Sequence, residues 1–152
     1  MSGTLTHSPS QIVRQLLVDL EQGVLMSELG TGSWPITAGQ WPDEVTGMDS
    51  AIFVQGTEGQ TQGRSMLDGY VFEKHGITVH IRDTRYADGR TKANAIARAL
   101  DTTTLTSVTI DESVYVVSGF HRSGDVLELG KEDGTSRHLF NVNGFLTVRQ
   151  SD

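Results

Sequence analysis

The first repeating pattern of apolar residues lies near the N-terminus and has the period of a helix. Between Val13 and Leu20 the apolar positions are separated by three, one and three residues, which places them on one helical face. The sequence Ser-Pro-Ser-Gln that precedes them is that of a capping box, with Ser8 as N-cap and Pro9 as the first helical residue. The pattern therefore predicts an amphipathic helix that begins at Pro9, with Gly23 as the residue that ends it.

Shorter apolar patterns predict strands along the rest of the chain. Ala51–Val54 is an unbroken apolar run, whereas Ile77–Ile81 alternates strictly between apolar and polar residues. A bulge is favoured over a turn at Asn143-Gly144. The predicted strands are Ala51–Val54, Ser65–Glu73, Ile77–Ile81, Thr104–Ile110, Val114–Phe120, Val126–Leu129 and Arg137–Val142, with turns at Lys74–Gly76 and Asp111–Ser113.

A second helix is predicted over Gly89–Leu100, where apolar residues recur at i, i+3, i+4 and i+7. Much of that apolar stripe is alanine, which favours close packing on a sheet or on a neighbouring subunit. Gly30–Asp49 is expected to be an irregular connection, and Gly56–Arg64 a flexible polar loop, as a hairpin arm or flap. Together these elements predict an α+β fold in a single domain over residues 1–152, with two main helices and a mixed, mostly antiparallel sheet.

Composition narrows the function classes. The 152-residue chain has no cysteine, which excludes disulfides, thiol catalysis and thiolate metal sites. It has 12 basic and 19 acidic residues and a formal net charge of -7, and its basic residues are scattered in the sequence, so a nucleic-acid-binding role is not expected. No apolar run approaches the roughly 18 residues that a membrane span needs. We also expect no secretory signal peptide.

The candidate chemistry is sparse. None of the five histidines has the spacing of a metal site, and there is no phosphate-binding glycine loop or serine-hydrolase elbow. We therefore expect neither enzyme activity nor a cofactor.

Two features each have two possible interpretations. Arg64 makes either a local bond to its loop or an ion pair between subunits. The indoles of Trp34 and Trp41, each followed by proline, pack either on their own domain or on a partner subunit.

The order of these features resembles that of the tail terminator, or tail completion, proteins of long, flexible-tailed bacteriophages. The resemblance covers nearly the whole chain, in the segments TEGQTQGRSMLDGYVFEKHGITVHIRD, KANAIARALD and VYVVSGFHRSGDVLELGKEDGTSRHLFNVNGFLTV. It is carried by the glycine-rich loop ending in Gly63-Arg64, by His75-Gly76 and by Leu100-Asp101, taken in order. The aromatic-Asp dipeptide usual in the family before Thr57 is here Gln55-Gly56.

The resemblance implies a mixed α/β fold and a ring, usually hexameric, that caps the tail tube, ends tail elongation and joins the tail to the neck. The implied partners are further copies of the chain, the tail tube protein and a neck or head-completion protein, with DNA passing through without specific binding and with no membrane. The implied location is the tail–neck junction of the virion, after assembly in the host bacterial cytoplasm. Alternatives are a head-completion or stopper protein, a tail-tube subunit, or a small α+β enzyme or ligand-binding domain. The candidate subunit-interface residues are Trp34, Trp41, Glu58, Arg64 and Asp68.

Overall fold

A computed structural model describes residues 5–25, 34–39, 50–64, 71–131 and 137–151, and for residues 58–64 and 71 it describes the backbone. The described part has two helices and a mixed, mostly antiparallel, curled sheet, which confirms the predicted α+β fold. The elements are α1 (Pro9–Asp19), β1 (Ile36–Ala38), β2 (Ala51–Arg64), β3 (Val71–Asp83), α2 (Tyr86–Asp101), β4 (Thr106–Ile110), β5 (Ser113–Arg122), β6 (Leu127–Lys131) and β7 (His138–Ser151).

The described strands form one seven-stranded sheet, in which six strands follow the order β1-β2-β3-β7-β5-β4 and the seventh, β6, pairs with β7. β1 runs parallel to β2, and the other pairs are antiparallel. β7 is the central strand, because it pairs with β3 along one side and with β5 and β6 along the other. α1 contacts β1 and β2 near one end of this order and β4 at the other, so the sheet curls around that helix.

Both helices cover the same face of the sheet, which we call the inner face. Val54, Val79 and Val142 stand side by side on it in adjacent strands, and each is fully buried. α1 adds Ile12, Val13, Leu16 and Leu17 to this core, and α2 adds Ala93, Ile96, Ala97 and Leu100. Neither described helix is long and apolar enough to cross a membrane.

α1 begins as the sequence predicts. The Ser8 hydroxyl accepts a hydrogen bond from the backbone N–H of Gln11, and the Gln11 side chain accepts one from the backbone N–H of Ser8. The predicted end is wrong, because the left-handed residue after the helix is Glu21, with φ 62°, rather than Gly23. Gly23 serves close packing instead: a Cβ there would lie 2.5 Å from the carbonyl oxygen of Trp34.

The segment Gly56–Arg64 is the second half of β2 rather than a loop without secondary structure. Of its two expected forms, hairpin arm or flap, the hairpin arm is the one observed, because β2 pairs antiparallel with β3, the next strand in the sequence. The segment pairs with β3 from Gly56↔Ile77 to Arg64↔Val71, with two register shifts that absorb the extra residues. The expected turn at Lys74–Gly76 is wrong, since β3 is continuous there and has β2 on one side and β7 on the other. Backbone pairing along two edges therefore overrides the local turn preference of glycine. In the expected irregular connection, Ile36–Ala38 forms β1.

Asn143-Gly144 is neither a turn nor a bulge, because β7 pairs with β3 through both residues without a shift. Glycine is required there by a close approach. A Cβ at Gly144 would lie 2.5 Å from the ring carbon Cε1 of Phe120 and 2.6 Å from the carbonyl oxygen of His121.

The predicted β4–β5 hairpin is confirmed. Its two turn residues, Asp111 and Glu112, have φ 52° and 87°, which are typical of a type I′ turn.

Candidate assembly surface

The face of the sheet turned away from the helices, the outer face, carries polar, cationic and aromatic side chains. Alternation along each strand sends every second residue to this face. The β3–β7 register then aligns the two sets, since Lys74 pairs with Thr147 and Thr78 with Asn143. The outer-face residues of these two central strands include Phe72, Lys74, Thr78 and His80 on β3, and Asn141, Asn143, Phe145, Thr147 and Arg149 on β7.

Two cation–aromatic pairs lie next to each other on this face. The Lys74 ammonium nitrogen lies 4.8 Å from the centre of the Phe145 ring, and the Arg149 guanidinium carbon lies 5.5 Å from the centre of the Phe72 ring. Both distances are within the range of a cation–π attraction, which is worth about 0.5–1 kcal/mol at exposed sites. We call Phe72, Lys74, Phe145 and Arg149 the cationic patch.

Carboxylates are absent from the outer-face positions of β3, β5 and β7 whose side chains the structure describes. This separation is notable in a chain with a net charge of -7. Glu73 and Asp83 also belong to β3, but they occupy the alternate positions that face the inner side of the sheet. Glu73 lies 3.0 Å from His75, and Asp83 accepts a hydrogen bond from Ser50. Within the described residues, Lys74 has no carboxylate partner.

The middle of the outer face is ordered by hydrogen bonds and ring stacking. The rings of Phe53 and His80 stack with their centres 4.5 Å apart, and His80 Nε2 lies 3.0 Å from the Gln55 side-chain oxygen. Thr78 donates a hydrogen bond of 2.8 Å to Asn143. Burial lowers the pKa of His80, and a hydrogen bond with Asn141 partly opposes that shift. His80 is therefore a neutral part of this surface at neutral pH.

Exposed carboxylates lie at the turn of the β4–β5 hairpin, the acidic tip, which consists of Asp111 and Glu112. The Asp111 side chain is 94% exposed, and its carboxylate lies 3.4 Å from Nε2 of His7. Glu112 is exposed and has no hydrogen bond or ion pair in the part of the chain that the structure describes. Several other described carboxylates already have a guanidinium partner: Asp88 with Arg85, Asp101 with Arg122, and Glu128 with Arg90.

A cavity of about 320 Å³ lies beside α2, and its polar groups hold the fold together. Asp83 accepts hydrogen bonds from the Ser50 hydroxyl and the Arg85 backbone N–H, which begins the α2 segment. Lys92 donates to the Gln22 carbonyl at 2.9 Å and lies 5.4 Å from the Trp34 ring centre, and burial lowers its pKa. The lining residues are Trp34, Ser50, Asp83, Asp88, Thr91, Lys92 and Ala95. Among the described residues no group of three or more potential metal ligands occurs.

The five candidate interface residues have different outcomes. Trp34 packs against the core, which is the first of its two expected alternatives. Glu58 and Arg64 lie in β2, and only their backbone is described, while Trp41 and Asp68 lie outside the described residues. The second alternatives for Trp34 and Arg64, contacts between subunits, stay predictions.

Sequence reasoning missed the cationic patch. Its four residues lie in two segments more than 70 positions apart in the sequence, and basic residues that are scattered along the chain meet on one face only after β3 pairs with β7. The available signal was the alternation in each segment, since Phe72, Lys74 and His80 share one parity and Phe145 and Arg149 share another. The pairing register that aligns them was not available from one sequence.

No protein-family model matches the chain, and no curated protein matches it. What the chain does is therefore inferred from its own surfaces and from the resemblance of its sequence.

Proposed function

We propose that the protein is a structural subunit of a bacteriophage tail. In this proposal six copies close into a ring on the last layer of the tail tube, end tube elongation and join the tail to the neck. The order of sequence features along nearly the whole chain supports this role, and so does the α+β fold, which is of the class that the resemblance implies.

The observation that carries the proposal is the separation of charge between two surfaces. A closed ring is built from a head-to-tail contact, in which one surface of a subunit meets a different surface of the next. The chain offers two such surfaces, an outer sheet face without described carboxylates and an exposed hairpin turn that forms the acidic tip. Because these surfaces differ, a subunit that binds one neighbour still has its second surface available for another.

The enzyme or ligand-binding alternative has less support. In the part of the chain that the structure describes, a candidate site is the cavity beside α2, but the carboxylate and the ammonium group there already bind partners of the fold itself. A catalytic site needs polar groups that converge on an open position that a substrate can occupy. Asp83 and Lys92 instead fix the start of α2 and the segment that follows α1.

The test is deletion of the gene from the phage that encodes it, followed by electron microscopy of the particles. Loss of a terminator leaves DNA-filled heads without tails and free tails of uncontrolled length, because nothing stops tube growth. Loss of a tail-tube subunit would remove tails altogether, and loss of a stopper would leave tails of normal length beside leaking heads. Normal-length tails joined to heads after deletion would overturn the proposed function, and wild-type protein supplied from a plasmid is the control.

A further inference from the structure

We propose that the cationic patch of one copy binds the acidic tip of the next copy, with Lys74 facing Glu112 across the contact. The occupant of the outer face is thus a second copy of this chain. This inference rests on the proposed function, because it names the contact that would close the ring.

The cationic patch can bind one carboxylate group of another copy. Lys74 is half-buried, lies above the Phe145 ring and has no carboxylate partner among the described residues. Phe72 and Phe145 flank the cations with apolar surface, which excludes water and strengthens a charge–charge contact placed between them. A single carboxylate can therefore satisfy Lys74 without rearrangement of β3 or β7.

Glu112 of the acidic tip can provide that carboxylate. Glu112 stands at the second position of a two-residue turn, where φ is 87°, and its exposed side chain has no partner in the described part of its own subunit. The hairpin holds the backbone of the turn in place, because it pairs without a register shift from Thr106↔Val117 to Ile110↔Ser113. A contact between an edge hairpin of one copy and the sheet face of another is a head-to-tail contact, since edge and face are different surfaces.

A nucleic-acid backbone is a poorer occupant of the same face. Phosphate binding needs several clustered cations, and its strength grows with the number of phosphates that are neutralised. The patch has two cations on a chain of net charge -7, so a long polyanion is repelled by most of the surface. A single acidic turn needs only the local complementarity that the patch provides.

Crosslinking between two differently tagged populations tests the contact, and the absence of native cysteine makes each introduced thiol unambiguous. One population carries Thr147→Cys, which lies beside Lys74 in the β3–β7 register, and the other carries Thr109→Cys, which is exposed and near the acidic tip. Both populations keep Lys74 and Glu112. A short bismaleimide should join the two populations to each other, far above the yield with Thr104→Cys, an exposed control site before β4.

Charge reversal then identifies the pair. Lys74→Glu in the first population, or Glu112→Lys in the second, should lower the mixed crosslink about tenfold, because like charges then face each other. Mixing both reversed populations should restore it. Yields insensitive to reversal, or no crosslink above the Thr104→Cys control, would overturn the contact. Binding of a fluorescent oligothymidylate that is lost in Lys74→Glu would overturn it too, because the face would then belong to nucleic acid.

The two proposals fail separately. If the swapped pair restores crosslinking but deletion of the gene leaves normal tails, the self-contact stands and the tail role falls. If deletion produces overlong tails but crosslinking ignores the charges, the tail role stands and the ring closes through another surface.

Discussion

Substitution of Gly144 by alanine tests how closely β5 and β7 approach on the inner face. The new methyl group would lie 2.5 Å from Cε1 and 2.7 Å from Cζ of Phe120, and 2.6 Å from the carbonyl oxygen of His121. Phe120 is 7% exposed and packs in the core, so its ring has limited space for movement. The carbonyl belongs to the paired backbone, where His121 stands opposite Phe145. Two groups must therefore shift together.

The expected cost follows from those contacts. Because comfortable carbon contacts are about 3.5–4.0 Å, the neighbours must move by about 1 Å. Overpacking of this kind costs about 1–3 kcal/mol, and the backbone clash places Gly144→Ala at the upper end. Replacing glycine by alanine also reduces the conformational entropy of the unfolded chain, which stabilises the folded state by about 0.4–1 kcal/mol. The net destabilisation is then about 2 kcal/mol, which corresponds to a fall in Tm of about 4–8 °C for a domain of this size.

Thermal and urea unfolding, followed by circular dichroism, measure that difference. Gly119→Ala is the matched control, because it also adds one methyl group to the sheet but meets only the Thr103 carbonyl oxygen, at an ordinary 3.6 Å. The control should melt at or slightly above the wild-type temperature. If Gly144→Ala melts within about 1 °C of Gly119→Ala, the strands do not approach as closely as the structure shows and the reasoning fails.

Three further predictions concern pH, turn strain and burial. The free energy of unfolding should fall as pH is lowered from about 7.5 to about 5.5. Burial lowers the pKa of folded His80 below the 6.5 of the unfolded chain, so the unfolded chain binds more protons in this interval. His80→Gln should weaken this pH dependence in urea titrations, and an unchanged dependence of the unfolding free energy on pH would contradict the prediction. Glu112→Gly should raise the free energy of unfolding by about 1 kcal/mol, because glycine adopts φ 87° without strain, and the same variant should lose the crosslink between copies. Val79→Asp and Ile96→Asp, both at fully buried positions, should each cost about 3 kcal/mol or more, whereas Ser107→Asp on the exposed side of β4 should unfold like wild type.

Local signals predicted the elements that depend on neighbouring residues. The capping box at Ser8 and the turn at Asp111-Glu112 are satisfied within a few residues, so one sequence is enough to find them. The second half of β2 is different, because its glycine, glutamine and threonine residues favour a loop unless β3 supplies hydrogen bonds along their length. The cationic patch is even harder to predict from neighbouring residues, because it forms only when β7 pairs with β3 in one particular register.

The central place of β7 in the sheet has a consequence for how the protein is made. β7 follows β3, β5 and β6 in the sequence, yet it is the strand that joins them. While a ribosome is still synthesising the chain, β3 and β5 have emerged but lack their common neighbour. A hydrogen bond between Thr6 and Gln150 also waits for that last described strand. The nascent chain therefore exposes unpaired strand edges until β7 leaves the exit tunnel, and its sheet forms after translation of these elements, at the slow rate of a fold dominated by distant contacts.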